Sequence, residues 1–135
     1  DAAIKQMILA GKTVKDARVV ILGMTFKENC PDIRNSKVND IIKRLKEYGI
    51  RPLVADPLAN PQEVMEEYGI SMLPYASTYD ADCVILAVAH ADFRSLTLQE
   101  FGRMFRPAGE KVLIDVKGIL DKAGAEKAGF RYWRL

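Results

Sequence analysis

Cys83-Val84-Ile85-Leu86-Ala87-Val88 is an unbroken apolar run. It has the length of a strand, and its lack of alternation marks a strand covered on both faces, as in a parallel sheet. Parallel neighbours must be joined by crossovers, usually helices, so the rest of the chain has to supply alternating strands and helices. It does. Arg18–Leu22, Ile50–Ala55, Ile70–Leu73, Val112–Ile114 and Phe130–Trp133 read as further strands, the last of them an edge strand. Between them, Val38, Ile41, Ile42 and Leu45 recur at helical spacing behind Ser36, a good N-cap. Asn60 caps a helix over Pro61–Tyr68 that Gly69 stops. Leu96–Phe105 is a helix facing inward through Leu98, Phe101, Met104 and Phe105, and Ile119–Ala128 holds a helical turn or two. Residues 1–17 begin with a short helix whose Ile4, Met7 and Ile8 share a face. The pattern predicts a single, three-layer, Rossmann-like, doubly wound α/β domain with a mostly parallel sheet.

At 135 residues the chain is long enough for one real core. A net charge of +2 gives no basic field for nucleic acid, and no apolar run approaches the ~20 residues of a membrane span. The start, Asp1-Ala2-Ala3-Ile4-Lys5, has neither a signal-peptide pattern nor an initiator Met, which points to a piece of a larger polypeptide. Cys30 and Cys83 form no CxxC pair or metal-spaced cluster, so a reducing, cytoplasmic setting is expected and no metal site is.

In an open α/β sheet, ligands bind beyond the carboxyl ends of the strands. The loop Gly23–Ser36 follows the first strand there and carries Lys27 and Arg34 with Thr25 and Ser36, which suits phosphate. A solvated mixed-charge loop, with Glu28 and Asp32 among the lysine and arginine, is the plainer reading of the same residues. The loop is not the G-x-G-x-x-G fingerprint of dinucleotide sites, since Gly23 stands alone. Asp56 could read a ribose hydroxyl, but such an Asp more often opens an Asp-Pro turn. Lys117 and His90, the only histidine, lie at the ends of other strands on the same rim, with His90 expected beside a ligand. Four residues from three strands thus converge as an argument for an anionic ligand: Lys27, Arg34, His90 and Lys117. Cys30 has cations nearby but no histidine near it in sequence, so an inert thiol is the expectation. Tyr132-Trp133-Arg134-Leu135 reads as edge-strand packing before it reads as a stacking site.

Leu22-Gly23-Met24-Thr25-Phe26-Lys27, followed by Asp32-Ile33-Arg34-Asn35-Ser36, resembles the UDP-glucose/GDP-mannose dehydrogenase family. Lys27-Glu28-Asn29-Cys30-Pro31-Asp32, Ala87-Val88-Ala89-His90, Ile114-Asp115-Val116-Lys117-Gly118 and Tyr132-Trp133 are similar to its bacterial UDP-N-acetylhexosamine 6-dehydrogenases of polysaccharide synthesis. The resemblance implies that residues 1–17 end a central helical segment and that 18–135 are the UDP-sugar-binding domain. The NAD-binding and catalytic regions would lie outside this chain. Such enzymes oxidise a sugar C6 alcohol to a carboxylate by successive hydride transfers to NAD, for capsule or O-antigen. A catalytic Cys forms thiohemiacetal and thioester intermediates. That Cys lies in a Gly-rich motif absent here, so Cys30 is not it and no catalytic residue is expected. Phe26 and Lys27 match the pair that contacts the UDP-sugar, and Arg34 matches an arginine that reaches NAD at the domain interface. Lys117 stands where animal UDP-glucose dehydrogenases have a substrate-contacting Arg, a change that loses bidentate geometry. The implied partners are the UDP-sugar, the remaining domains and a second copy in a homo-oligomer, in the cytoplasm. The competing expectation is a free-standing, non-catalytic nucleotide-binding or interaction module of flavodoxin-like shape; a thiol enzyme using Cys30 is a third.

Overall fold

The structure, a computed structural model, describes residues 1–134. Its elements run α1 (Ala2–Leu9), β1 (Val19–Leu22), α2 (Val38–Glu47), β2 (Leu53–Ala55) and α3 (Pro61–Tyr68). After a 3-10 turn at Tyr75–Ser77 come β3 (Cys83–Leu86), α4 (Ala91–Arg94), α5 (Leu98–Gly102), β4 (Lys111–Asp115), α6 (Lys122–Lys127) and β5 (Phe130–Arg134). The strands form one sheet in the order β2-β1-β3-β4-β5, and every pairing is parallel. Leu135 of the C-terminal aromatic stretch lies outside the described residues.

Alternation of side chains along each strand builds the two covering layers. Val19, Ile21, Val54, Cys83, Ile85, Val112 and Ile114 face α1, α2 and α3, which contribute Ile4, Met7, Val38, Ile42, Leu45 and Val64. Val20, Leu22, Val84, Leu86 and Leu113 face the other way, against Phe93 of α4, Phe101 of α5 and Ala125 of α6. The fully buried strands β1 and β3 occupy the interior of the sheet, which explains their unbroken apolar sequence. No described helix is long and apolar enough to cross a membrane.

Several boundaries differ from the sequence expectation, each for a local reason. Ile70–Leu73 is not a strand: it gives a single parallel bridge, Val54 to Met72, beyond β2. The expected helix over Leu96–Phe105 shrinks to α5, because Thr97 and Glu100 form a capping box that starts a helix there. The preceding loop contains its own short helix, α4. Ile8 does not face inward with Ile4 and Met7 but is 60% exposed. Ser36 lies one residue before the N-cap position, Lys37, although its Oγ does accept from the Val38 N–H at 3.3 Å. Asn60 caps α3 through the N–H groups of Gln62 and Glu63, and Gly69 ends it in the left-handed conformation, as expected.

Candidate functional site

In the order β2-β1-β3-β4-β5 the chain reverses direction across the sheet between β1 and β3, and the carboxyl ends of those strands flank the crevice where ligands bind. A cleft of about 430 Å³ lies there. Thr25, Phe26, Lys27 and Glu28 line it from the first loop, Lys37 and Val38 from the start of α2, Ala87–Ala89 from the end of β3, with Arg94 and Lys117. The two strand ends are held close by Gly23, whose φ is +107° and where a Cβ would fall 2.6 Å from the Val88 Cβ.

Beneath the cleft is a buried polar brace. One oxygen of Asp56 accepts from the N–H groups of Met24 at 2.7 Å and Thr25 at 3.3 Å. It also lies 2.9 Å from His90 Nε2. The other oxygen accepts from Leu58 N at 2.7 Å and Ala59 N at 3.2 Å. His90 Nδ1 accepts from the Asn29 N–H at 2.9 Å. That bond leaves the ring proton on Nε2, facing Asp56. The Thr25 hydroxyl donates to the Lys27 carbonyl at 3.0 Å and lies 3.1 Å from His90 Nε2. Asp56 therefore does open its turn, but it also ties β1, β2 and β3 together, and none of its oxygens remains for a ribose. His90 is wholly buried and does not line the cleft. The expectation that it sits beside a ligand is corrected: its ring faces the protein interior.

Asp115 plays a similar part at the end of β4. Fully buried, it accepts from the Tyr132 hydroxyl and the Leu120 N–H, tying off the turn that presents Lys117. Burial and this carboxylate push the Tyr132 phenol well above its ordinary range. Tyr132 and Trp133 are packing residues of the edge strand, as expected.

The cations on the rim divide into two kinds. Among the described residues Lys27, Lys37 and Lys117 make no ion pair, while Arg94 approaches Glu28 at 3.7 Å on the exposed surface. Arg34 does not line the cleft. It forms a two-point pair with Asp32, at 3.0 and 2.9 Å, and points to solvent. Its side-chain hydrogen bond, reinforced by its own N–H, holds the Asp32 carboxyl at about 2. Of the four residues expected to converge, the structure thus brings together Lys27 and Lys117, and leaves Arg34 and His90 outside the cleft. Sequence reasoning missed Lys37 and Arg94. Their signal is positional, since each sits beside a strand-to-helix junction of the rim.

Phe26 is 53% exposed at the cleft, an aromatic face available for stacking. Among the described residues no group of three or more His, Cys, Asp or Glu could hold a metal ion. The one hydroxyl lining the cleft, that of Thr25, already donates to the Lys27 carbonyl. Cys30 is half-buried on the same loop but does not line the cleft. The arrangement can bind an anion beside an aromatic or apolar group; it contains no nucleophile–base pair. A second hollow of about 380 Å³, between α1, α2 and the sheet, is lined by Ile4, Ile41, Leu45, Ile85, Ile114 and Trp133. Its one cation, Arg44, is paired with Asp1 and Glu47, so it offers no comparable anion site.

The sequence profile of the UDP-glucose/GDP-mannose dehydrogenase family, UDP binding domain, matches residues 20–122. The chain is 41% identical over 119 residues to UDP-N-acetyl-D-glucosamine 6-dehydrogenase of Pseudomonas aeruginosa, covering 88% of this chain and 28% of that protein. It is 36% identical over 132 residues to protein CapL of Staphylococcus aureus, covering 98% of this chain and 30% of that one. The fold matches the crystal structure of an NDP-N-acetyl-D-galactosaminuronic acid dehydrogenase from Methanosarcina mazei Go1. There the TM-score is 0.84 at 20% identity, covering 97% of this chain and 27% of the other. The chain therefore spans under a third of the length of each of these proteins.

Proposed function

The chain belongs to the UDP-glucose/GDP-mannose dehydrogenase family and corresponds to its UDP-binding domain, and from that premise we propose that it holds the UDP-sugar for a longer NAD-dependent 6-dehydrogenase. In this reading the complete protein oxidises the C6 alcohol of a UDP-N-acetylhexosamine, or of UDP-glucose, to the carboxylate for a cell-surface polysaccharide. It works in the cytoplasm as a homo-oligomer. The observation that carries the proposal is the set of lysines without ion-pair partners among the described residues, Lys27, Lys37 and Lys117, around a cleft that also exposes Phe26. Lysine presents a point charge on a flexible stem, suited to diphosphate oxygens reached from several sides. Phe26, Lys27 and Lys117 are the proposed substrate contacts. Residues 1–17 would end the central helical segment, and 18–135 would form the sugar-nucleotide domain.

The strand ends of this chain do not form a dinucleotide cradle for NAD. Gly23 packs against Val88 instead of leaving a cradle for pyrophosphate, and Asp56 has spent its oxygens on N–H groups and His90. NAD would be held mainly by the other domains, with Arg34 reaching toward it from an exposed loop. The cleft's part is binding and orientation: its cations fix the diphosphate so that the sugar extends toward groups supplied elsewhere.

The test is NADH formation by the full-length protein, with UDP-N-acetylglucosamine, UDP-N-acetylgalactosamine and UDP-glucose offered in turn. Turnover of at least one, inhibited competitively by UDP, is expected. Turnover of none, with no UDP binding, would overturn the proposal. It would favour the free-standing module, a reading that the flavodoxin-type strand order also suits.

A further inference from the structure

His90 is the only histidine of the chain and is wholly buried. Nothing in the proposed chemistry uses it. Its ring lies 5.4 Å from that of Phe93, so plain packing would be one sufficient role. The polar contacts go further than packing requires. Nδ1 takes the Asn29 N–H at 2.9 Å. Nε2 faces Asp56 at 2.9 Å and the Thr25 hydroxyl at 3.1 Å. Because that hydroxyl is spent as a donor to the Lys27 carbonyl, its oxygen is left as an acceptor for the ring N–H. The imidazole thus grips the first loop at Thr25 and again at Asn29. Between those two points lie Phe26, Lys27 and Glu28, all of which line the cleft. Asn29 is itself in the left-handed conformation, with φ 57°, which a non-glycine residue adopts at a cost. Its side-chain oxygen accepts from the Ala91 N–H at 2.8 Å, so the same residue also stitches the loop to the start of α4.

We propose that His90 is a positioning residue for the nucleotide site. Acting from below as acceptor for Asn29 and donor to Asp56 and Thr25, it sets the backbone that presents Phe26 and Lys27 to the cleft. The inference rests on the cleft being the nucleotide site. It predicts that what matters at position 90 is a paired acceptor and donor, with ring shape secondary. Gln can offer both from one amide, whereas Phe keeps the ring and loses both.

The experiment compares His90→Phe, His90→Gln and Asn29→Gly with wild type in the full-length protein. Hydrogen–deuterium exchange of the peptide spanning Thr25–Asn29 is measured without ligand, and KM for the UDP-sugar and kcat are measured separately. For His90→Phe, loop exchange is expected to accelerate about tenfold and KM to rise about tenfold, with kcat within about twofold of wild type. His90→Gln should recover most of both losses. Wild-type loop exchange and KM in His90→Phe would overturn the proposal, and so would a His90→Gln variant as impaired as His90→Phe, which would assign the residue to packing. Should His90→Phe not fold, His90→Gln carries the test: loop exchange and KM within about threefold of wild type support the proposal, and exchange and KM raised about tenfold overturn it. Asn29→Gly, which keeps the Asn29 N–H that His90 accepts from and removes the stitch to Ala91, is the control for loop loosening that does not pass through the imidazole. The ligand-free exchange decides the role of His90 even if wild type fails to bind UDP, a result that would count against the site reading alone.

Discussion

The two rims of the sheet treat their charges in opposite ways. At the amino-terminal rim, one carboxylate gathers the cations. Asp82 accepts from the Arg18 N–H at 2.9 Å and from Arg106 at 2.9 Å, and lies 3.6 Å from Lys12. Burial opposes its charge, but those contacts outweigh it and hold the Asp82 carboxyl below its ordinary range. At the carboxyl-terminal rim the two acids at the strand ends are instead spent inward, while Glu28 and Asp32 on the first loop pair with Arg94 and Arg34. Asp56 receives N–H groups and His90, and Asp115 receives Tyr132 and Leu120, which leaves Lys27, Lys37 and Lys117 facing the cleft with no ion-pair partner among the described residues. At the first rim Asp82 ties down Lys12 and Arg106 as part of the framework. The second is a buried polar base beneath a cleft lined by more cations than acids, which is what an anionic ligand needs. An acid at a strand end therefore has two uses, to quench cations or to brace backbone, and only the second leaves the cations available.

The largest expected effect separates the two carboxylates. Asp56→Asn turns one accepting oxygen into an NH2 that faces N–H donors, whichever way the amide is oriented, and should cost roughly 3 kcal/mol in urea unfolding. Asp82→Asn loosens a partly exposed cluster whose Arg106 is half in solvent, and should cost about 1 kcal/mol. Equal costs would erase the distinction between brace and ion cluster.

Next in size is ligand affinity. Lys27→Ala in the full-length protein should raise the KM for the UDP-sugar about tenfold with kcat little changed, because a ground-state contact is removed. Lys12→Ala, on the opposite rim, should leave KM within about twofold while lowering stability slightly. A KM unchanged by Lys27→Ala would remove the strongest site assignment.

The smallest effect concerns the exposed pair beside the cleft. Asp32 titrates at about 2 in the folded chain against an ordinary 3.8, so its small stabilising contribution is present above 3.8 and is lost as pH falls through about 2. Side-chain carboxyl NMR should show that midpoint, and Arg34→Ala should return it toward the ordinary value. An unmoved midpoint would mean that Arg34 is not held by Asp32 and is free to point elsewhere.

The layered fold was legible because burial on both faces leaves its mark on the interior strands: Val19–Leu22 and Cys83–Leu86 are apolar without alternation, and helical spacing shows in Val38–Leu45. Strand order emerged only in the structure, since no local pattern tells β1 that its neighbours are β2 and β3. Lys27 and Lys117 were readable as rim residues because they follow strands directly. His90 was misjudged as sitting beside a ligand, because the end of a strand gives a position on the rim but not the direction of the side chain; for Asp56 the turn reading held. That direction is set by pairing between segments far apart in sequence, as where the Asn29 N–H meets His90 Nδ1. Arg34 was misplaced by a nearer cause, the local pair it makes with Asp32.

The most direct test of the central claim is a UDP titration of the isotopically labelled chain, followed by amide NMR shifts. The account predicts shifts concentrated in Thr25–Glu28, Lys37–Val38, Ala87–Ala89 and Lys117, with the amides around Asp82 and Arg106 unmoved. Shifts centred on the Asp82 rim, or none in the cleft when the titration is repeated on the full-length protein, would contradict it.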